Sequence, residues 1–411
     1  MADSASEPAH EVIDQRDLPS EWTLVTDDAA LAAAAAALQG GHGPVGVDAE
    51  RASGFRYGAE AYLVQVHRRG AGTYLFDPID ITNFAPLAAA LADDSIGGEE
   101  WIIHSASQDL ACLAELGLVP ERLFDTELAA RLLGFDRVGL GSIVEELLGI
   151  RLHKAHSAAD WSRRPLPVDW LDYAAFDVSL LPDLRDALAA EVEQQQKWDI
   201  VTQEFEATRT REPKPAAPEP WRRLSGGNRL KSRRELAIAR ELWIARDELA
   251  QQRDVGPGRL LPDASIVVAA QAQPRSAGHL ASLSDFRGRA SRTELERWWR
   301  AVLRGKTTED LPGPRERNPD AIPHHRNWAQ RFPDAAARLT AARDALTEAA
   351  EQHRMPLENL LTPDYLRRVA WEPPRPATAD AIAQQLTELG ARPWQTVITA
   401  PIIAAAFVDH I

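Results

Sequence analysis

Acidic residues at short, regular spacings are the first sign of chemistry in this sequence. Asp48 and Glu50 lie two residues apart in VGVDAE, a segment with the length and composition of a strand. Because side chains alternate across a strand, both carboxylates would project from one face. Two carboxylates that converge in a partly buried site repel each other unless a cation binds between them. The pair therefore indicates a metal site, and the alternative is a strand end whose acidic side chains are simply hydrated.

Two further positions carry groups of the same kind. Asp109 follows the apolar segment WIIH and the segment SASQ, at the junction of a predicted strand and a helix. Ligands of α/β proteins often bind at this end of a strand, although an Asp in a first helical turn also compensates the helix dipole. Tyr173 and Asp177 are four residues apart in DWLDYAAFDVSLL, so a helix would place them on one face. Neither signal is specific when it is taken alone.

Residues 21–205 supply the elements that would position these groups. Short apolar segments at 45–50, 62–66, 73–77 and 101–104 have strand composition, and amphipathic stretches lie between and after them. This order predicts an α/β domain with a mixed central sheet flanked by helices.

The rest of the chain divides at two segments rich in proline and charge. The first, 206–220, predicts a semi-rigid linker, and the second predicts a linker at 307–325. The regions between and after them, 221–306 and 326–411, share an Ala-Arg-Asp helix segment followed by a Leu and a Pro-Asp pair. We expect two all-helical domains that repeat one another.

Composition narrows the class of protein. Cys112 is the single cysteine, which excludes an internal disulfide and a multi-thiolate zinc site. No apolar run is long enough to span a bilayer, and residues 1–20 are polar, so we expect a mobile N-terminal tail on a cytoplasmic protein. The net charge of −15 is uneven: residues 221–306 contain eighteen Lys and Arg against nine Asp and Glu. This basic region could bind a polyanion that the acidic remainder would not attract, although chance clustering of the basic residues is the alternative.

Taken in order, these groups resemble the DEDD exonucleases of the tyrosine subtype, whose catalytic domain has a ribonuclease H-like fold. The flanking segments HSASQDLACL and ADWSRRPLPVDWLDYAAFDVSLL are similar to ribonuclease D in particular. The basic segment RLKSRRELAIARELWIARDELAQQRDVGPGRLLPDASI resembles the helical HRDC domain, and the C-terminal region resembles it more loosely. The resemblance covers residues 22–305 closely.

The resemblance implies a 3′–5′ exoribonuclease that releases nucleoside 5′-monophosphates and trims the 3′ ends of tRNA precursors or other structured RNA. It implies two divalent cations, Mg²⁺ or Mn²⁺, which hard oxygen ligands favour. Asp48 would bridge both ions, Glu50 and Asp177 would hold the ion that carries the attacking water, and Asp109 would hold the other. Tyr173 would orient that water. We also expect substrate contacts from Ala49, His104, Lys231, Arg233, Arg234, Arg287 and Arg289.

Two other functions fit the same residues. The first is a DNA-directed 3′–5′ exonuclease, since DNA enzymes use the same acidic set. The second is a nucleic-acid-binding scaffold without activity, which the complete set of five chemical groups disfavours. We expect a monomer whose partner is RNA with a free 3′ end, with DNA as the alternative and no membrane.

Overall fold

A six-stranded mixed sheet forms the centre of the N-terminal domain in the computed structural model, which describes residues 12–92, 100–153, 156, 158–213, 215, 217–313 and 321–410. The strands are β1 Ile13–Asp14, β2 Thr23–Val25, β3 His42–Arg51, β4 Ala61–Arg69, β5 Gly72–Phe76, β6 Glu100–Ile103, β7 Arg122–Asp125 and β8 Ile150–Arg151. The main sheet has the order β2-β5-β4-β3-β6-β7. Strand β4 is antiparallel to both of its neighbours, and the other pairs are parallel.

Eight helices accompany this sheet in the described part of the domain. They are α1 Asp28–Gln39, α2 Ala85–Leu91, α3 Leu110–Glu115, α4 Thr126–Leu133, α5 Leu140–Leu148, α6 Val168–Ser179, α7 Leu181–Gln194 and α8 Trp198–Arg209. The predicted α/β class with a mixed central sheet is confirmed. The amphipathic stretch from 169 to 195 forms two helices, α6 and α7, because Pro182 in the first turn of α7 cannot continue the preceding helix.

The N-terminal segment departs from the prediction. The prediction of a mobile tail over residues 1–20 is wrong for the described residues 12–20, in which β1 pairs in parallel with β8. Asp14 then accepts hydrogen bonds from the Arg16 backbone and from the His153 ring, and Asp172 accepts one from Ser20. These contacts join the segment to loops far away in sequence, which a local pattern does not reveal. Residues 1–11 lie outside the described residues.

The other α-helices of the described residues form two groups that share three successive helices. The first group is α9 Arg233–Arg253, α10 Pro257–Leu260, α11 Asp263–Ala272, α12 Ala277–Ala281, α13 Arg289–Thr293 and α14 Leu295–Thr307. The second is α15 Trp328–Arg331, α16 Pro333–Gln352, α17 Leu357–Leu360, α18 Pro363–Trp371, α19 Ala379–Glu388 and α20 Pro393–Phe407. In both, a long helix leads to a single helical turn and then to a helix that begins at a Pro-Asp pair. No helix among the described residues is apolar over a length that could cross a bilayer.

The two helical groups pack differently on the α/β domain. The first has a core of its own, which includes the fully buried Trp298. The second shares one continuous apolar core with the α/β domain, to which it contributes Trp394 and Phe407. Glu204 of α8 accepts hydrogen bonds from Arg392 Nη2 at 2.7 Å and from Trp394 Nε1 at 2.9 Å across this junction.

Candidate active site

Strand β3 carries the first two carboxylates to the surface of the sheet. Val47 and Ala49 are buried in the apolar core on one face, so Asp48 and Glu50 project from the opposite face. Helix α6 packs over β3, β4 and β5 on that face and brings Asp177 to the same place. One carboxylate oxygen from each of these three acidic residues lies within 4.8 Å of the others. The predicted strand and helix spacings therefore converge on one point.

Asp109 joins the group from a separate element, at the N-terminal end of α3. Its carboxyl group lies close enough to that of Asp48 for each to alter the pKa of the other, and its Oδ1 lies 3.4 Å from Nη2 of Arg51. Asp109 lies outside the tight group of three oxygens but lines the same cleft. The cleft has a volume of about 410 Å³. Among the described residues that line it, Arg51 is the only Lys or Arg.

Burial raises the pKa values of all four acidic groups, and repulsion from a neighbouring carboxylate adds to it at three of them. Burial is the largest cause at each of them, and the charge of Asp48 adds to it at Glu50, Asp109 and Asp177. Four carboxylates at this separation do not all ionise at neutral pH without a positive partner. A divalent cation would supply that charge, and oxygen-only donors suit Mg²⁺ or Mn²⁺. The donor set therefore fits a hard divalent metal.

Tyr173 lies one helical turn before Asp177 and is hydrogen-bonded to it. Burial and the neighbouring carboxylates raise the pKa of Tyr173, so its hydroxyl stays protonated. The ring is held edge-on by His156, with centroids 5.7 Å apart. The hydroxyl is therefore a fixed donor rather than a base.

The loop between β6 and α3 is shaped by a buried carboxylate that sequence reasoning missed. Ser105 has the left-handed backbone conformation, with φ of 67°, and its N–H donates to Asp125 at 3.1 Å. The Ala106 N–H donates to the other oxygen of Asp125 at 2.9 Å. Asp125 thereby fixes the turn that delivers Asp109 to the cleft. Its position at the end of an apolar strand, just before a helix, was the available signal.

His104 and Ala49 also line the cleft, as expected for substrate-contacting residues. Nδ1 of His104 lies 2.9 Å from Oγ1 of Thr126, and burial lowers the pKa of His104 to about 4. The ring is therefore neutral at physiological pH. The Ala49 side chain faces the apolar core, so any substrate contact of this residue falls to its backbone.

The remaining predicted substrate contacts are in the first helical group, away from the cleft. Arg233 donates to Pro312 O at 3.1 Å, and Arg234 donates to Gly305 O and Thr308 O at 2.9 Å. Lys231 Nζ donates to Asn228 O at 2.8 Å. These three side chains are thus engaged in holding their own domain. Arg287 and Arg289 are exposed, and the structure gives their side chains no ion pair within the described residues.

Sequence comparisons match this architecture domain by domain. Residues 22–193 match the family described as 3′-5′ exonuclease, residues 235–302 match the HRDC domain, and residues 321–407 match the 3′ to 5′ exonuclease C-terminal domain. The fold and the acidic cleft thus define a 3′–5′ exonuclease with an HRDC domain. Ribonuclease D of Granulibacter bethesdensis is 31% identical over 300 residues, which are 71% of this chain and 71% of that protein. The chain belongs to the ribonuclease D family.

Solved structures share this fold. A protein from Bifidobacterium adolescentis superposes with a TM-score of 0.83 at 36% identity, over 93% of this chain and 96% of that one. Escherichia coli RNase D, described as an exoribonuclease involved in structured RNA processing, superposes with a TM-score of 0.66 at 24% identity. That alignment covers 95% of this chain and 99% of the E. coli chain, and it supports the fold.

Proposed function

We propose that this chain is a metal-dependent exoribonuclease that removes nucleoside 5′-monophosphates one at a time from RNA 3′ ends. The observation that carries the proposal is the convergence of carboxylate oxygens of Asp48, Glu50 and Asp177 to within 4.8 Å, with Asp109 lining the same cleft. A protein that only bound nucleic acid would gain nothing from four repelling carboxylates beneath an open cleft. This feature favours the enzyme over the scaffold.

Asp48, Glu50, Asp109 and Asp177 are the residues that would hold two divalent cations. When bound, such ions lower the pKa of an attacking water and stabilise the attacking and leaving oxygens of a phosphodiester. The charge of Asp48 raises the pKa of each of the other three carboxylates, so Asp48 would be the member best suited to share both ions. Glu50 and Asp177 would serve the ion beside the attacking water, and Asp109 would serve the other.

Tyr173 would position the attacking water. Its hydroxyl stays protonated and directs that proton to Asp177, so its oxygen can accept a hydrogen bond from the water without removing the water's proton. Arg51 would bind a substrate phosphate, because it is the cationic side chain that reaches the described cleft beside Asp109. Binding of cations near Asp109 would free the guanidinium for that role.

RNA is the proposed substrate because the similar curated proteins are named ribonuclease D. The exposed Arg287 and Arg289 would follow the phosphate backbone of a longer substrate, and exposed Arg292 lies beside them. Precursors of tRNA with extended 3′ ends are the natural substrates that we propose within this class.

The assay compares RNA and DNA of equal sequence, each labelled at its 5′ end, with Mg²⁺, Mn²⁺ or EDTA. We expect a descending ladder from RNA with either metal and intact RNA with EDTA. Preferential digestion of DNA would instead support the DNA-directed exonuclease. Intact RNA under every metal condition would contradict the proposed activity.

A further inference from the structure

The HRDC domain contacts the α/β domain at the loop that directly follows the catalytic strand. This segment, residues 52–57, is named the docking loop. The Gly256 N–H donates to Phe55 O at 2.9 Å, and Arg259 Nε donates to Gly54 O at 2.9 Å. A Cβ on Gly256 would lie 2.3 Å from Gly54 O, so the two backbones meet with no room for a side chain. The Arg259 guanidinium also lies 3.9 Å from the centre of the Phe55 ring.

Asp254 adds two polar contacts to those that the Tyr57 hydroxyl makes with Asp247 and Gln251. It ends α9 in the left-handed conformation, with φ of 47°, and its carboxylate points at the docking loop. One oxygen accepts from Arg56 Nη1 at 3.2 Å, and the other accepts from the Tyr57 N–H at 3.1 Å. A single HRDC side chain therefore fixes both the backbone and a cationic side chain of the loop.

Arg56 extends this contact to the segment that precedes α6, the helix that carries Tyr173. Its Nε donates to Ser162 Oγ at 2.7 Å, and Ser162 Oγ donates to Asp160 Oδ1 at 2.6 Å. Ser162 is 8% exposed, so the Ser162 end of this bond is buried. Between the two polar residues lies Trp161, which is fully buried.

From Trp161 a row of ring contacts leads to Tyr173. Trp161 meets Trp170 edge-on at 5.2 Å, and Trp170 lies 5.5 Å from the His156 ring. His156 in turn contacts Tyr173 edge-on at 5.7 Å. Close-packed aromatic rings transmit small displacements because they have little free space in which to relax.

We propose that Arg56 is a positioning residue that couples docking of the HRDC domain to the orientation of Tyr173. This inference rests on the proposed role of Tyr173 in hydrolysis. It assigns the HRDC domain a part in the chemical step, in addition to any part in holding RNA. The coupling follows Asp254, Arg56, Ser162 and the rings, and it does not require the substrate to touch the HRDC domain.

The test uses the full-length protein and a labelled RNA dinucleotide, whose single phosphodiester occupies the cleft. Asp254→Gly removes both acceptors while suiting the left-handed backbone. We expect kcat to fall about tenfold with little change in KM, since a small misplacement of a positioning group slows the reaction step. Asp254→Asn keeps an acceptor oxygen and tolerates the same backbone, so it retains most of the rate. Arg253→Ala is the matched control, because Arg253 pairs with Glu294 inside the HRDC domain.

A second variant tests the proposed route. Ser162→Ala breaks the next bond without touching the HRDC domain, and we expect it to lower kcat as Asp254→Gly does. Because both variants act through Arg56, the double variant should be no slower than the slower single one. Losses that multiply in the double variant, or an unchanged kcat in Asp254→Gly, would overturn the coupling.

Hydrogen exchange separates this inference from the proposed function. Asp254→Gly should increase amide exchange in residues 158–166, which belong to the α/β domain and not to the HRDC domain. Arg253→Ala should leave exchange there unchanged. Exchange that is unchanged there overturns the coupling even if hydrolysis is confirmed. A wild-type protein that leaves every RNA intact would contradict the hydrolytic function, and the exchange data would still decide whether the domains are coupled.

Discussion

Replacing Tyr173 with Phe removes one hydroxyl from the cleft and leaves the ring that packs on His156. In the structure this hydroxyl is bonded to Asp177, a carboxylate surrounded by like charges. A hydrogen bond to a charged group contributes about 1.5–3 kcal/mol, which corresponds to a loss of roughly 10- to 150-fold in kcat if it acts in the transition state. We expect a loss in this range, because the four carboxylates remain in place.

The measurement is a steady-state kinetic comparison with 5′-labelled RNA at several Mg²⁺ concentrations. Tyr173→Phe should lower kcat and leave the half-saturating Mg²⁺ concentration unchanged. Tyr74→Phe serves as the matched control, since Tyr74 lies in β5 and does not line the described cleft. It removes the same group from the same domain and should leave kcat as it is.

Two results would refute the reasoning about Tyr173. An unchanged kcat would remove the hydroxyl from the reaction. A loss that disappears at high Mg²⁺ would mean that the hydroxyl organises the carboxylates for metal binding and does not position water.

Three more predictions concern the cleft, the helical domains and their junction. Arg51→Gln should raise KM for RNA about tenfold with a smaller effect on kcat, because a substrate phosphate loses its charged partner. An unchanged KM in steady-state kinetics would contradict this prediction. Arg287→Glu combined with Arg289→Glu should weaken binding of long RNA and flatten its salt dependence; equal filter-binding slopes would exclude these side chains. Glu204→Leu should destabilise the protein by about 3 kcal/mol, since it leaves Arg392 unpaired in a junction where Glu204 is 7% exposed; urea unfolding that shows less than about 1 kcal/mol would contradict a structural pair.

The pattern of residues revealed the acidic groups because local geometry governs them. Alternation along β3 placed Asp48 and Glu50 on one face, and helical spacing placed Tyr173 beside Asp177. These rules depend on a few neighbouring residues, and the structure follows them. The convergence of the separate elements was an expectation from family order, since spacing alone does not fix distances between a strand and a distant helix.

Arg51 shows where local rules fail. Strict alternation would turn it away from Glu50, but the pairing of β3 with β4 shifts register between these two residues. The extra residue, Tyr62, lies on β4, and beyond this shift Arg51 reaches Asp109. The spacing of residues in the sequence does not predict such a shift of strand register.

Contacts between domains could not be predicted from the sequence either. The linkage from Asp254 to Arg56 joins residues 198 positions apart. The sequence predicts Arg233 and Arg234 as phosphate contacts, but in the structure both side chains donate to backbone carbonyls of their own domain. The shared core beneath Trp394 also means that removing residues 221–411 would expose apolar surface, so point variants test RNA binding more cleanly than truncation.

The identity of the nucleotide released from RNA tests the central claim most directly. RNA labelled in its 3′-terminal nucleotide is incubated with wild-type protein and Mg²⁺, and the labelled product is separated by thin-layer chromatography. We predict a labelled nucleoside 5′-monophosphate from the wild type, and none from Asp48→Asn, Asp177→Asn or the wild type in EDTA. A labelled nucleoside, a labelled oligonucleotide, or undiminished release by either variant would contradict hydrolysis at this carboxylate cleft.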